Sequence, residues 1–204
     1  VALKEAQQRL RENPDSALEW YVAKMLFFIN EHYGDKGLAD SYGRHAYDLA
    51  VAMRDTVKIY KSITYRTAAL RSLGRKGEAT RLMQSAVSLA PGLRVRDKAG
   101  LYNNIGFVLL DSVPGEARGY FEKAISYMPI STALANLALI NADDGQMEVA
   151  DSLWRRAMRG ASPQLQSEIL SDIFRFRMDE GSYRDACDVA VRLIACLLYT
   201  SDAA

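Results

Sequence analysis

Residues Gly74–Pro91 read GRKGEATRLMQSAVSLAP, and the fold is decided there. Ala79, Met83, Ala86 and Leu89 recur at helical spacing on one face, with Gly74 in the loop before them and Pro91 placed to stop the helix. The small Ala79 and Ala86 suit places where a second helix comes close. The pattern returns as GEARGYFEKAISYMP over Gly115–Pro129 and as GQMEVADSLWRRAMRGASP over Gly145–Pro163. A looser copy, GSYRDACDVAVRLIA, runs over Gly181–Ala195. One alanine-rich amphipathic helix says little, but four in register predict a helical repeat.

In these stretches the chain resembles the second helix of a tetratricopeptide (TPR) repeat, a helix–turn–helix unit of about 34 residues. LYNNIGFVLL, Leu101–Leu110, resembles the first helix, with Tyr102, Ile105, Gly106 and Leu109 at the pattern's places. The resemblance implies an all-α, right-handed superhelical solenoid of about five hairpins with a leading helix over Leu3–Glu12. The repeats are expected near 17–54, 56–91, 99–129, 132–163 and 164–195. In the first repeat, helices are expected over Ala17–His32 and Leu38–Arg54, with Ser16 or Asp15 as N-cap and Gly43 where the family usually has an aromatic. Pro91–Lys98 reads as an extended inter-repeat loop. In the fourth, Leu134, Leu137 and Ala138 should meet Ala150, Trp154 and Ala157, and Ser162-Pro163 should start the next helix. Ala79, Ala86, Gly106, Ala117, Ala124, Ala150 and Ala157 are expected to be buried at helix crossings.

With 49% apolar and 25% charged residues the chain reads as soluble and folded, and a net charge of +1 supplies no field to draw nucleic acid. The apolar run Met25–Ile29 is too short to span a bilayer, so no direct membrane insertion is expected. RENPDSAL, Arg11–Leu18, resembles the opening of bacterial TPR proteins that follow a lipoprotein signal, favouring a periplasmic or membrane-tethered place over the cytoplasm. The chain opens on Val1 with no visible signal peptide, so its natural start is expected to be missing or processed away. Cys196–Ala204, CLLYTSDAA, resembles a translated sequencing-library adapter. It is read as a non-native tail on a chain cut near Ala195, and Cys196–Leu198 can extend the last helix by accident. Cys187 is then the single native cysteine, expected as a small buried hydrophobe.

Chemistry-bearing motifs are absent from the sequence. His32 and His45 sit on different helices, and HExxH, paired CxxC, GxGxxG, Walker and GxSxG patterns do not occur. The acid pairs Asp143-Asp144 and Asp179-Glu180 fall at helix ends where solvated acids are ordinary. Arg71, Arg75, Lys76, Arg81, Arg94, Arg96 and Lys98 lack interleaved stacking aromatics and read as a solvated face. No enzyme, cofactor or metal site is therefore expected.

The remaining expectation is a non-enzymatic interaction scaffold that takes a protein or peptide segment in a groove. The resemblance puts Tyr21, Lys24 and Phe28; Lys61, Thr64, Ala68 and Arg71; and Asn103, Phe107 and Leu110 on the groove face. It adds Ala135, Leu139 and Ala142, then Ser171, Arg175 and Met178. From these, Lys24, Arg71, Asn103, Phe107, Leu110, Leu139 and Arg175 are the expected partner-binding residues. The family's carboxylate clamp is not expected, because Ala68 stands where the asparagine complementing Asn104 should be. The alternative reading is the periplasmic sensor part of a membrane-bound signalling or transcription-regulating protein cut at its C-terminus. The sequence leaves the partner and the oligomeric state open.

Overall fold

The computed structural model describes Glu5 and residues 15–201, and the expected leading helix falls, Glu5 apart, outside the described residues, as do residues 202–204. The described elements are all helical and fall into two compact units that divide after Asp111. The first unit holds α1 (Ser16–Tyr33), α2 (Lys36–Ala52), α3 (Thr56–Ser72), α4 (Lys76–Ser85), a 3-10 segment (Ala86–Gly92) and α5 (Val95–Leu109). The second holds α6 (Pro114–Tyr127), α7 (Ser131–Asp143), α8 (Met147–Met158), α9 (Pro163–Asp179) and α10 (Tyr183–Ser201). The third expected repeat straddles the division, with α5 in one unit and α6 in the other. This is an all-α helical repeat.

Recurrence is visible in how the helices end. Gly74, Gly145 and Gly181 all have φ near +75°, the left-handed conformation that glycine adopts without a Cβ penalty. The following residue then bonds back across the turn: Arg75 N–H to Leu70 C=O at 2.8 Å, Gln146 to Asn141 at 2.8 Å and Ser182 to Arg177 at 2.9 Å. Asp55 N–H closes on Ala50 in the same way at 3.1 Å, although Arg54 holds the left-handed place there. Four helix ends thus share one Schellman-type closure.

Helix starts are fixed by side-chain acceptors. Asp15, rather than Ser16, caps α1 by accepting from Ala17 and Leu18 N–H, and Asp35 caps α2 through Gly37 and Leu38. Ser162 caps α9 by accepting from Leu165 N–H at 3.3 Å, with Pro163 as the first helical residue. Asp55 caps α3, accepting from the Lys58 N–H at 3.0 Å and the Lys58 ammonium at 2.7 Å. Those Lys58 bonds hold the Asp55 carboxyl below its ordinary 3.8. Asp55→Ala should therefore cost about 1 kcal/mol at neutral pH. A lowered folded value stabilises above the unfolded one, so the gap between parent and variant should close as pH falls through and below 3.8. Urea titrations of both proteins at pH 7 and in acid would read this.

The first unit's core has two clusters. Trp20 and Ala23 of α1 meet Ala46 and Ala50 of α2, and the Trp20 indole N–H donates to Ser62 Oγ of α3 at 3.0 Å. Phe27 packs on Ala39 and Ala69, with Tyr65 stacked on its ring at 5.0 Å. Gly43 is a close-contact place: a Cβ there would meet Arg66 Cγ at 2.8 Å, so no aromatic fits. In the second unit Phe121, Ala138, Ala150, Trp154 and Ala157 are almost wholly buried, as are Leu134 and Leu137.

All seven expected small residues are buried. Ala124, fully buried on α6, offers no room for branching. Ala124→Leu should overpack the α6 face and cost about 1–3 kcal/mol in thermal unfolding. An unchanged transition would contradict the packing register.

Three expectations are corrected. The stretch that decides the fold is not one α-helix, because it tightens to 3-10 geometry from Ala86, and Pro91 lies inside that segment. Pro91–Lys98 is not an extended loop: only Leu93 and Arg94 separate the 3-10 segment from α5. Cys187 is exposed, since Ala186 and Val189 take the buried arc of α10 and turn the thiol outward. The helix runs on through Cys196 to Ser201, with Cys196 Sγ 3.2 Å from Ser167 Oγ.

Candidate functional site

Among the first unit's groove-facing residues, α3 and α5 bring two of the expected ones together. Thr64, Thr67, Ala68 and Arg71 follow at steps of three and four along α3, so they line one stripe. On α5, burying Tyr102, Ile105 and Leu109 turns Phe107 outward, leaving it 44% exposed. The Arg71 guanidinium lies over the Phe107 ring, 4.0 Å from its centroid, where cation–π attraction favours it.

The pair borders a cavity of ≈ 520 Å³. Its apolar floor includes Met83, Ala68 and Val108, and its polar wall includes Glu31 of α1, Thr67 and Ser72 of α3, and Asn104 of α5. Asn104 Nδ2 donates to the Tyr60 hydroxyl at 3.0 Å, and burial pushes that hydroxyl's pKa up to about 12, so it stays protonated. Lys76 also lines the cavity but reaches Asp111 at 3.0 Å. Of the basic cluster, then, Arg71 is half-buried against a ring rather than solvated, whereas Arg75 pairs with Glu78 on the surface at 2.7 Å.

The other expected residues lie elsewhere. Lys24 is on α1, its ammonium 5.9 Å and 6.0 Å from the Tyr21 and Phe28 ring centroids. Leu110 is half-buried at the C-cap of α5. Asn103 does not face a groove: it is 8% exposed, and its Nδ2 donates to Asn104 Oδ1 at 3.4 Å. Leu139 and Arg175 belong to the second unit, where Leu139 is half-buried and Arg175 is exposed, 3.5 Å from Asp172 and over the Phe176 ring. Burial raises the Asp172 carboxyl above its ordinary 3.8, against the pull of Arg175. Ala135 and Ala142 are buried, so α7 presents neither to a ligand. Sequence reasoning missed Glu31 and Thr67. Both carried a signal: Glu31 lies seven residues after Lys24 and three after Phe28, and Thr67 sits between Thr64 and Arg71 on the α3 stripe.

Among the described residues no helix is long and apolar enough to cross a membrane, and no group of His, Cys, Asp and Glu could hold a metal ion. No family model matches the chain, and no curated protein matches it. Solved structures do. BtubC (BKLC) from P. vanneervenii is 16% identical with a TM-score of 0.73, over 98% of this chain and 88% of that one. A Rap protein complexed with competence and sporulation factor is 15% identical with a TM-score of 0.68, over 98% and 70%. TTC0263, a thermophilic TPR protein in Thermus thermophilus, is 18% identical with a TM-score of 0.58, over 97% and 89%. The chain has the TPR-type helical-repeat fold.

Proposed function

We propose that the protein is a non-enzymatic interaction scaffold that binds a peptide or partner segment, and that the first unit's cavity is where the segment sits. The observation that carries this is Arg71 lying over Phe107 at the edge of a ≈ 520 Å³ cavity with an apolar floor. Phe107 is 44% exposed with Arg71 on its face, and exposed aromatics and arginines are the usual anchors of binding. The structurally similar Rap protein was solved complexed with competence and sporulation factor, which supports a fold that holds a bound partner. In the first unit Lys24 and Leu110 remain proposed partner contacts; in the second unit Leu139 and Arg175 are proposed ones of their own. The test is binding of a partner to Phe107→Ala and Arg71→Ala chains that fold like the parent. Undiminished binding by both would overturn the cavity as the site.

A further inference from the structure

Two opposite charges share the first unit's cavity without pairing. Arg71 has no carboxylate within ion-pair distance among the described residues, and its described contact is the face of Phe107. Its guanidinium edge therefore keeps donors free for a ligand. Glu31 is half satisfied. Its Oε1 accepts from the Ser72 hydroxyl and lies 3.9 Å from Lys36, while Oε2 is buried without a protein partner. Lys76, the other cation on the wall, is mostly in solvent, where it reaches Asp111 at 3.0 Å. Thr67 adds a third unmet group. It is 4% exposed, lines the cavity, and its hydroxyl has no protein partner. Buried polar groups are paired in the great majority of folded proteins, so two orphans at one cavity point to something that binds there.

Resting on the peptide reading above, we infer that this cavity takes a segment carrying both signs of charge: a carboxylate for Arg71 and an ammonium or guanidinium for Glu31. A purely acidic segment would satisfy Arg71 but face Glu31 with a like charge. A purely basic one would meet Glu31 and repel Arg71. An apolar residue between the two charged ones covers Ala68, Phe107 and Val108, and the segment's main chain supplies a partner for the Thr67 hydroxyl. Selectivity then comes from charge pairs in a partly dry pocket, where charge-assisted hydrogen bonds are stronger than neutral ones.

The experiment is a selection from a displayed library of random heptapeptides on the immobilised full chain, repeated on Arg71→Gln and Glu31→Gln. The parent should enrich peptides that carry Asp or Glu together with Lys or Arg. Arg71→Gln should lose only the acidic preference and Glu31→Gln only the basic one, each with about a tenfold fall in affinity for the parent's best peptide. A charge swap guards against folding defects: Arg71→Glu should regain binding to that peptide with its acid replaced by lysine. Enriched peptides of a single charge sign, or binding indifferent to Glu31→Gln, would overturn the two-charge inference and leave the peptide reading standing. No enrichment over a Phe107→Ala chain would overturn both.

Discussion

Phe27→Ala should destabilise the protein by about 3–5 kcal/mol in urea unfolding. Phe27 is 2% exposed and stands where α1, α2 and α3 meet, against Ala39 and Ala69. Truncation removes the largest side chain of that cluster. The buried partners Ala39 and Ala69 are too short to fill the hole, and the bulky neighbours Tyr42 and Tyr65 are rigid rings that fill it only in part. Tyr65, stacked on the Phe27 ring at 5.0 Å, would also lose its neighbour. Phe28→Ala is the internal control. Phe28 is next in the chain but turned outward, so its loss should cost about 1 kcal/mol or less. Similar costs for the two variants would mean that α1 faces its neighbours in another register.

Trp154 gives the second large effect, in the second unit. The indole is 1% exposed and lies 5.8 Å from the Phe176 ring, so Trp154→Ala should cost about 3–5 kcal/mol. Its Nε1–H is buried without a protein partner. A buried donor left unpaired carries its full desolvation penalty, and phenylalanine removes that donor together with some apolar area. Trp154→Phe should therefore cost only about 1 kcal/mol or less, measured by the shift of the thermal transition. A Trp154→Phe loss well above 1 kcal/mol would show that the N–H has a partner after all.

The helical repeat was legible because its signals are local. The loop glycines Gly74, Gly145 and Gly181 recur at one place in their hairpins, and Ala79, Ala150 and Ala186 each follow five residues later. What a period cannot show is how many neighbours a helix has. Reading each helix as having one buried stripe puts Asn103 and Ala135 on an open face. Yet Leu101, Tyr102, Asn103, Ile105 and Gly106 are all buried on α5, and most of α7 is buried round its circumference. A helix packed on several sides has no polar face to read. Cys187 is the opposite case, because α10 buries only a narrow arc around Ala186 and Val189. The 3-10 segment follows from Pro91, which disfavours α geometry at the preceding residue and so tightens the last turn.

For the site, the pairing of Arg71 with Phe107 could be anticipated in part, because both fall on first-helix stripes of adjacent repeats. Glu31 could be placed on the α1 stripe by its spacing from Lys24 and Phe28, but not as a wall of the same cavity. Its side chain reaches there only because Gly43 and the alanines let α1, α2 and α3 pack closely, which is a property of three helices together.

Binding itself is the most direct test of the central claim. A partner segment should be titrated into the parent chain, Phe107→Ala and Arg71→Ala, with each variant first shown to melt like the parent. The account predicts a loss of about 2 kcal/mol or more, roughly thirtyfold in Kd, for Phe107→Ala and a tenfold or larger loss for Arg71→Ala. A folded Phe107→Ala chain that binds as tightly as the parent would contradict it.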